Sequence, residues 1–431
     1  MTDLPSGWAK ASLAEVAEVR LGRQRSPKTH HGDNMRPYLR AANITWPGLS
    51  LDDVKEMHFS PTEVETYRLV EGDILVAEAS GSRSEVGKPA LWGGEIAECC
   101  FQNTLLRVRS RGPLSKYLLY LLRLEALAGR LGDAARGVGI HHLGAAGLSS
   151  YVVHLAPLME QKRIVGAIEE QFSRLDRAEA SLRLAEHRSR LMRSSLLEST
   201  WATGANQVPL REVTEITTGS TPSIAEPAFW GGRVPFVTPG DLEHCGIVKG
   251  TARTLTEEGL RKARLCNAGS VLLTCIGATI GKASRTRVPC ATNQQINTLT
   301  AVSEALDAKY MLYTLCAPSG QKAILEASSS TTLPILNKSR LGRLAVPLPP
   351  IPLQQQVVAK IDHHLSLLAS VMAAIGYAHT QSGRLRLAIL ECAFSGRLVP
   401  RGPRDEAASE LLARITTGPA TAKESRRRSL V

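Results

Sequence analysis

The sequence predicts an α+β protein: two homologous mixed α/β domains separated by two long antiparallel coiled-coil helices, with the halves related by a pseudo-two-fold axis. Three observations lead to this fold class. The chain repeats itself, each repeat opens with short strand-like segments, and each repeat closes with a long heptad pattern behind a proline-containing connector. At 431 residues the chain is long enough for two such repeats.

The duplication appears as short segments that recur in the same order. Leu13-Ala-Glu-Val16 returns as Leu210-Arg-Glu-Val213, and Glu71-Gly-Asp-Ile-Leu75 returns as Ala268-Gly-Ser-Val-Leu272, each 197 residues later. Other pairs recur 193 residues apart: Lys116–Tyr120 with Lys309–Tyr313, Leu155–Gln161 with Leu348–Gln354, and Leu196–Glu198 with Ile389–Glu391. The constant order indicates a duplicated unit, and the change in offset indicates a few inserted loop residues.

Each repeat has the same internal plan. Short β-like runs such as Asp73–Val76 and Ser270–Thr274 are broken by Gly, Pro and Asn, and one helical stretch lies among them, at Leu114–Leu127 and again at Leu306–Leu315. Proline in the connectors, at Pro157 and at Pro347–Pro352, separates these runs from a long helix. We therefore expect five segments: a first mixed domain at 1–157, a central helix at 158–203, a second mixed domain at 204–349, a distal helix at 350–400, and a tail at 401–431 with a short helix near Glu406–Ile415.

The two long helices carry matching heptad seams. Steps of four and three residues from Ile164 give eight apolar positions of ten, and adding 193 gives a second seam with its two polar positions at the same places. The first seam is Ile164, Ile168, Gln171, Leu175, Ala178, Leu182, Ala185, Ser189, Met192 and Leu196. The second is Val357, Ile361, His364, Leu368, Val371, Ile375, Ala378, Ser382, Leu385 and Ile389.

Matching seams favour helices that pack on each other, although two amphipathic helices that each pack on their own domain would also fit. In an antiparallel pair aligned at the seam ends, Gln171 would face Ser382 and Ser189 would face His364, so that buried polar pairs set the register. Between Asp362 and Arg384 the second helix is poor in charge. Off its seam it carries Leu365, Leu367, Met372, Ala373 and Ala374, so we expect partner subunits to cover it.

Composition narrows the function classes. Lys and Arg outnumber Asp and Glu by 52 to 40, a net charge of +12 that favours a polyanionic partner. The N-terminus does not resemble a secretory signal and no apolar run has the length of a bilayer span, so we expect a cytoplasmic protein. The eight cysteines follow no zinc or disulfide spacing, and we expect reduced thiols and no metal site.

Several linked motifs resemble the specificity subunits of type I restriction–modification systems, over nearly the whole chain. Gly219-Ser-Thr-Pro222 followed by Phe229-Trp-Gly-Gly-Arg-Val-Pro235 and Asp241-Leu242 resembles the opening of that family's recognition domains. The connector from Pro157 to Gln161 resembles the entry into the family's long helix, and Ala388–Val399 resembles its exit. The first repeat has a looser opening, Gly22-Arg-Gln24, Arg36–Arg40 and Asn43-Ile44, without the Thr-Pro and Trp-Gly-Gly elements.

The resemblance implies that each mixed domain is a target-recognition domain that reads one half of a split asymmetric site on double-stranded DNA. It implies that the helices set the spacing and dock two methyltransferase (modification) subunits, which restriction/translocase subunits join. S-adenosylmethionine, ATP and Mg are then expected on those partners, and no membrane is involved. From Ile164 to Leu196 a helix would span about 48 Å, more than one turn of DNA.

The chain itself shows no motif for catalysis. Gly277-Ala-Thr-Ile-Gly281-Lys282 has the wrong glycine spacing for a nucleotide-binding P-loop, and neither an adenine-methyltransferase nor a nuclease motif occurs. We expect no catalytic residues. Candidate DNA contacts are polar residues in Gly-, Pro- or Ser-rich segments: Arg23, Arg25, Lys28, Arg40, Asn43, Arg83 and Lys88 in the first domain, and Thr221, Arg233, Asp241, Lys249, Lys282, Arg285 and Asn293 in the second.

Two other functions stay open at this point. A helical protein-binding adaptor would use the long helices without touching DNA, and its behaviour would not depend on salt. A fused enzyme with an unrecognised nuclease or methyltransferase site would act as the isolated chain. Neither accounts as well for an opening motif, a helix and a closing motif that each occur twice.

Overall fold

The computed structural model describes residues 4–27, 31–80, 82, 85–134, 141–329 and 334–417. They form two compact units, Met1–Ala180 together with Ala378–Val431, and Ser181–Tyr377. Each unit therefore contains one mixed domain and a part of each long helix.

The first mixed domain consists of short strands and short helices. In chain order these are β1 (Ala9–Ser12), α1 (Leu13–Val16), β2 (Ala17–Leu21), β3 (Met35–Leu39), β4 (Lys55–His58), α2 (Pro61–Tyr67), β5 (Ile74–Ala77), β6 (Ala79–Ser80), β7 (Pro89–Leu91), β8 (Cys100–Phe101), β9 (Leu105–Ser110), α3 (Ser115–Leu127), α4 (Arg130–Ala134), β10 (His141–His142), α5 (Ala145–Ser149) and β11 (Val152–Leu155). The main sheets have the strand orders β2-β9-β5-β7 and β4-β3-β8, and β1 pairs with β11.

The first long helix and the second mixed domain follow. In chain order the elements are α6 (Leu158–Glu198), β12 (Gln207–Pro209), α7 (Leu210–Val213), β13 (Thr214–Thr218), β14 (Trp230–Val237), β15 (Gly246–Ile247), β16 (Arg253–Leu255), α8 (Glu257–Leu260), β17 (Leu265–Cys266), β18 (Val271–Thr274), β19 (Ala283–Arg285), β20 (Cys290–Thr292), β21 (Ile296–Ala301), α9 (Ala308–Cys316), α10 (Pro318–Ala327), α11 (Lys338–Arg343) and β22 (Ala345–Pro347). The second long helix, α12 (Ile351–Phe394), and α13 (Ala408–Thr417) complete the chain.

The second domain repeats the sheets of the first. Its strand orders are β13-β21-β18-β19-β15 and β16-β14-β20-β17, and β12 pairs with β22. In both domains the second sheet contains a parallel pair, β3 with β8 and β14 with β20, among antiparallel neighbours. The duplication read from the sequence is thus a duplication of topology, with β15 and β17 added in the second copy.

The central strand of each domain is buried on both faces, which explains its continuous apolar run. In β5, Ile74 and Val76 join the large core that includes α3, while Leu75 joins a separate core with Leu39 and Phe101. In β18, Val271 and Leu273 join the core with α9, while Leu272 lies in a smaller core with Val237. Successive side chains point to opposite faces of a strand, so one strand connects two cores.

The connectors place a buried glutamine at the start of each long helix. The Gln161 amide oxygen accepts a hydrogen bond from the backbone N–H of Leu114 (3.1 Å) and its nitrogen donates to the Ala156 carbonyl (2.9 Å). Gln354 makes the equivalent bonds to the N–H of Asp307 (2.8 Å) and the carbonyl of Pro349 (2.7 Å). Both glutamines are fully buried, so each satisfies backbone groups that would otherwise be orphaned where the domain meets the helix.

In the first unit the beginning of α6 packs antiparallel against the end of α12. Arg386 pairs with Asp176 (2.6 Å) and Glu179 (3.2 Å), and its guanidinium lies over the Phe172 ring, 5.1 Å from the centroid. The end of α12 also joins the domain core, where the rings of Phe394 and Tyr117 meet edge to face at 5.1 Å. The helices therefore pack both on each other and on the domain, which combines the two alternatives left by the seam.

In the second unit the end of α6 and the beginning of α12 share the core of the second domain. Leu197, Val358 and Ile361 are buried there together. Lys309 on α9 pairs with Asp362 on α12 (2.5 Å), as Lys116 on α3 pairs with Glu169 on α6 (2.6 Å) in the first unit. The same lysine thus fastens the same helix turn in both copies.

The register proposed from the polar seam positions is corrected. Ser382 is buried but donates its hydroxyl to Glu179, two turns beyond Gln171. His364 Nδ1 donates within its own helix to the Lys360 carbonyl (2.7 Å), not to Ser189. The long charged side chains of Glu179 and Arg386 cross the interface between the helices. They set a register that could not be predicted from the apolar periodicity.

At some places along the seam, the buried residue is the one that follows the predicted residue. Of the predicted positions, Ile164, Ile168, Ile361, Ile375 and Ser382 are buried; Gln171, Leu175, Leu182, Ala185, Ser189, Leu196, Val357, His364, Leu368, Ala378 and Ile389 are half-buried; and Ala178, Met192, Val371 and Leu385 are exposed. Phe172 and Val358, one residue after predicted positions, are buried instead. Steps of four and three residues can be taken in either order from the same starting residue, and the two orders differ by one residue at every second position. Packing against the domains selects the order that was not predicted.

By length and composition, α12 is the one helix of the described residues that would qualify to cross a membrane. Both of its ends are built into folded cores, through Gln354 and Phe394. Its middle is largely exposed, with Leu367, Val371 and Tyr377 at 53%, 45% and 67% exposure. It is a helix of this fold that carries an uncovered apolar surface.

Candidate nucleic-acid interface

Three candidate cations of the first domain are held by acids of the same domain. Arg23 pairs with Glu63 (Nε to Oε1, 2.7 Å). Arg40 pairs with Asp53 (2.5 Å), and Lys88 pairs with Glu85. Arg23 also lies over the Phe59 ring and Lys88 over the Trp46 ring, at 5.0 and 5.7 Å from the centroids. These side chains brace loops through ion pairs within their own domain.

The acids show the effect of these pairs. A hydrogen bond from Lys88 lowers the pKa of Glu85, and a hydrogen bond from Lys55, with the charge of Arg40, lowers the pKa of Asp53. Burial opposes ionisation of Glu63, but hydrogen bonds from Arg23 and Ser60 still lower its pKa. The carboxylates are therefore ionised partners at neutral pH.

The remaining first-domain candidates lie in different environments. Asn43 is buried, accepting from the Arg40 N–H (3.0 Å) and donating to the Ser50 carbonyl (2.9 Å), so it shapes a turn and cannot reach a base edge. Arg25 is exposed. Lys28 and Arg83 lie outside the described residues.

Two candidates of the second domain meet where residues 219–222 (the opening loop) cross the end of β20. A Cβ on Gly219 would lie 2.2 Å from the Asn293 carbonyl, so only glycine lets the two backbones approach this closely. Thr221 donates to the Gln294 side chain (2.6 Å), and Asn293 donates to the Gln295 side chain (2.9 Å). Amides and hydroxyls are thereby gathered at one edge of the sheet.

The other candidates of the second domain differ in what they touch. Asp241 caps its own turn by accepting from the Thr238 N–H (2.8 Å), and Lys282 donates to the Pro239 carbonyl of the same turn (3.1 Å). Lys249 is well exposed beside Glu243 (2.7 Å), and Arg285 is half-buried on β19. Asp241 thus has a structural role, whereas Lys249 keeps its ammonium in solvent.

The Trp-Gly-Gly segment builds a β-bulge at the start of β14. The pairing of β14 with β16 slips between Trp230 and Val234. A Cβ on Gly232 would meet the Leu255 carbonyl at 2.2 Å, which explains the glycine. Next to the bulge Arg233 is exposed and Trp230 is half-buried. In the first domain β3 pairs with β4 in unbroken register, which accounts for the absence of the motif there.

The structure adds four exposed cations that the sequence candidates missed: Arg253, Arg261, Lys262 and Arg264. The Arg253 guanidinium lies over the Trp230 ring, 5.6 Å from its centroid. Arg264 Nη1 donates to the Thr218 carbonyl (2.9 Å), directly before the opening loop. Three of the four stand in one run, Arg261-Lys-Ala-Arg264, and that run was the available signal.

The two domains therefore differ in charge at corresponding places. Where the second domain has this basic run, the first domain has Val64-Glu-Thr-Tyr67, 197 positions earlier and without a basic residue. Exposed arginine beside indole and amide groups is suited to phosphates and bases. Within the described ranges no group of three or more His, Cys, Asp or Glu side chains is placed to hold a metal ion.

Comparison with known proteins agrees with this architecture. The family model of the type I restriction modification DNA specificity domain matches residues 5–181 and 203–372. The MjaIX specificity subunit of Methanocaldococcus jannaschii is 29% identical over 157 residues, which span 35% of either chain and so about a third of that relative.

Solved structures show the same fold. A chain from a structure of type I R-M complex assembly and conformational transition has a TM-score of 0.73 at 21% identity, covering 92% of this chain and 100% of that chain. The HsdS subunit from Thermoanaerobacter tengcongensis gives 0.55 at 21% identity, covering 92% and 98%. With two matched domains that account for most of its length, this chain belongs to the type I restriction–modification DNA specificity family.

Proposed function

We propose that this chain is the sequence-specific DNA-binding specificity subunit of a type I restriction–modification complex. Each recognition domain reads one half of a split target on double-stranded DNA. One observation carries the proposal: a single topology occurs twice with different surface chemistry, such as Arg23 paired with Glu63 in the first copy and an exposed Arg253 over Trp230 in the second. Different surfaces on the same scaffold support an asymmetric target.

The long helices are the spacer and the docking site in this proposal. The 41 residues of α6 and 44 of α12 give lengths of about 60 and 65 Å. Leu367, Val371 and Met372 form an exposed apolar strip on α12. An uncovered strip of this kind is typical of a protein interface. We assign it to a methyltransferase subunit, of which the complex holds two, with restriction/translocase subunits joined to them.

The chemistry belongs to those partners. The chain contains no P-loop, methyltransferase or nuclease motif, so the proposal assigns it no catalytic residue. S-adenosylmethionine, ATP and Mg are assigned to the partner subunits. Modification of cellular DNA requires that the complex work in the cytoplasm, with no part in a membrane.

Methylome sequencing tests the proposal directly. The chain is expressed together with its methyltransferase subunit in a host that lacks adenine methylation. We expect methylated adenines in one bipartite motif whose halves differ, separated by a fixed number of unspecified bases. A hybrid in which residues 204–349 come from another specificity subunit should change one half of the motif and leave the other intact.

Three outcomes would contradict it. Methylation at a continuous motif, or a hybrid that changes both halves, would reject reading by two separate domains. Stable binding of the methyltransferase with no affinity for duplex DNA at low salt would favour the adaptor function, which the apolar strip on α12 alone would also allow.

A further inference from the structure

Two buried thiols face each other in the second recognition domain. Cys266 on β17 is the cross-strand partner of Cys290 on β20 in an antiparallel pair. Their Sγ atoms are 3.2 Å apart, and both side chains are buried. Both are reduced, as are the other cysteines of the chain. We propose that Cys266 and Cys290 are a disulfide-forming site, modified by low-molecular-weight disulfides of the glutathione class.

The backbone already has the geometry that a disulfide needs. Opposed residues of an antiparallel pair have Cα atoms about 4.5–5.5 Å apart, within the range that a disulfide bridges. The sulfurs have to approach by only about 1.2 Å to reach bonding distance. Since β17 has two residues and lies at the sheet edge, few strand contacts oppose this adjustment.

The two thiols have unequal roles. Cys266 is 5% exposed and Cys290 is fully buried, so an incoming disulfide reaches Cys266 first. The hydrogen bond between the two thiols lowers the pKa of Cys266. That hydrogen bond and burial raise the pKa of Cys290. Cys266 is therefore the attacking thiol and Cys290 the resolving one.

The exchange balances in two steps. The Cys266 thiolate attacks one sulfur of the small disulfide, forming a mixed disulfide and expelling one thiolate. Cys290 then gives its proton to that thiolate, attacks the Cys266 sulfur and expels the second. Two electrons pass from the protein to the reagent, which leaves as two thiols.

The first recognition domain supplies an internal comparison. Cys99 precedes the first-domain strand β8 as Cys290 begins β20, but its backbone neighbour is Leu69, whose N–H donates to the Cys99 carbonyl (2.8 Å). Leu69 stands where the second copy has Cys266, 197 residues later. The dithiol is thus a property of the second domain alone, among the described residues.

The site adjoins the candidate DNA interface. From Cys290, β20 continues to Thr292 and Asn293, against which Gly219 and the opening loop pack. A disulfide would tie the edge strand β17 to this strand and restrict motion beside the loop. The inference does not depend on DNA binding, because the bond can be measured on the protein alone.

Peptide mapping provides the test. The folded full-length chain is incubated with oxidised glutathione, free thiols are blocked with N-ethylmaleimide, and the digest is analysed without reduction. We expect a Cys266–Cys290 cross-link, a loss of two hydrogen atoms in intact mass, and reversal by dithiothreitol. Cys266→Ser should abolish the cross-link, whereas Cys275→Ser should preserve it, because the buried Cys275 thiol donates to the Leu273 carbonyl (3.4 Å).

The wild-type chain decides the result even if Cys266→Ser does not fold. Cys266 and Cys290 recovered as free thiols or as separate glutathione adducts would overturn the proposal. So would a cross-link confined to Cys245 and Cys316, which also share a hydrogen bond in this domain. Cys290→Ala is the second variant, and it should leave Cys266 as a stable mixed disulfide. Cross-linking should also raise the melting temperature of the second unit by about 5 °C.

Discussion

One buried ion pair shows how the two copies have diverged at corresponding residues. Asp73, fully buried before β5, accepts two hydrogen bonds from Arg109 on β9, at 2.6 and 2.7 Å. In the second copy the same positions hold Ser270 and Thr300, whose hydroxyls are 2.8 Å apart. A charged pair in the first copy and a neutral pair in the second therefore connect the same two strands.

We expect Asp73→Ser to destabilise the first unit by about 2 kcal/mol, because Arg109 keeps its charge without a carboxylate. The double variant Asp73→Ser/Arg109→Thr, which copies the second domain, should regain at least about half of that loss. Urea denaturation of the three proteins measures the difference. A double variant as unstable as the sum of its single changes would show that the pairs are not equivalent.

Glu160 should make the stability of the first unit depend on pH. It is buried, and its Oε1 accepts from Trp8 Nε1 (3.0 Å). Burial raises its pKa, although Trp8 and Arg163 act in the opposite direction. A carboxyl with a raised folded pKa contributes stability that is complete below the unfolded pKa and is lost as pH rises through the folded pKa.

Glu160→Gln removes that loss while it preserves an acceptor for Trp8. We expect the variant to melt about 2–4 °C above the native protein at pH 8, and to show almost no difference near pH 4.5. Glu170→Gln, at an exposed position of the same helix, is the control and should shift neither melt. An equal shift at both pH values would mean that ionisation of Glu160 is not the cause.

Arg264 provides a test of the DNA interface. It is exposed, directly beside the opening loop, and missing from the candidates read from the sequence. If its charge meets phosphate, Arg264→Gln should weaken binding of the assembled complex to all duplex sequences by about 3–10-fold and reduce the salt slope by about 1. Binding isotherms at several salt concentrations measure both.

Lys322→Gln removes an equally exposed cation, one that pairs with Glu326 within α10, and should leave affinity unchanged. An Arg264 variant that loses affinity for one half-target alone would assign Arg264 to base reading instead. Unchanged affinity and salt slope would remove Arg264 from the interface.

At the scale of elements, each sequence motif has its own structural role. The connector glutamines satisfy backbone groups where a domain meets its helix, and the Trp-Gly-Gly segment forms the bulge at the start of β14. The long helices begin at Leu158 and Ile351, with proline at or near the first turn, where its missing N–H is tolerated.

The two long helices offer different surfaces at equivalent positions. Leu367 and Val371 of α12 correspond, 193 residues earlier, to Arg174 and Ala178 of α6. We expect Leu367→Glu/Val371→Glu to reduce affinity for the methyltransferase more than 10-fold, because charge replaces exposed apolar contact. Arg174→Glu on α6 should have a smaller effect that disappears at high salt. Analytical ultracentrifugation of the mixed subunits measures both.

Circular dichroism should show native helix content for both variants, since the substituted side chains are exposed. Full affinity of the α12 variant for the methyltransferase would reject this strip as its docking surface. DNA methylation would then have to depend on another face of the chain.

At the scale of the whole molecule, the chain closes on itself within the first unit. Beyond α12, Asp405 pairs with Arg163 of α6, and the Ala408 N–H donates to the Gly7 carbonyl (2.9 Å). Ala408 and Leu411 of α13 are buried in contact with the first domain. The C-terminal segment is therefore part of the first unit, although Gly7 and Ala408 lie at opposite ends of the sequence.

A chain that ends at Val399 should lose stability in the first unit only. We expect a fall of about 5 °C in the melting temperature of that unit and faster amide exchange in β1, with exchange in β18 of the second unit unchanged. A chain that ends at Thr417 retains α13 and is the control. Equal loss of protection in both units would show that α13 supports more than the first domain.

Much of the fold of this protein could be predicted from its sequence, because a duplicated chain shows each motif in two copies. Proline in the connectors and heptads in the helices are local signals that depend on neighbours a few residues apart, whereas the recurring segments are found by comparing the chain with itself. They were sufficient to predict two homologous mixed domains, two long helices and the family. The sequence also showed the basic run 261–264, although its place beside the opening loop was invisible.

Only the tertiary structure shows which candidate cations form ion pairs within their own domain. Arg23, Arg40 and Lys88 are candidate contact residues in the sequence, and only the fold shows that they pair with Glu63, Asp53 and Glu85. The helix register likewise came from Arg386 and Glu179, whose pairing depends on side-chain reach across the interface and not on period. Periodicity records which face is apolar, whereas charge pairing depends on distances between residues far apart in the chain, which only the folded molecule defines.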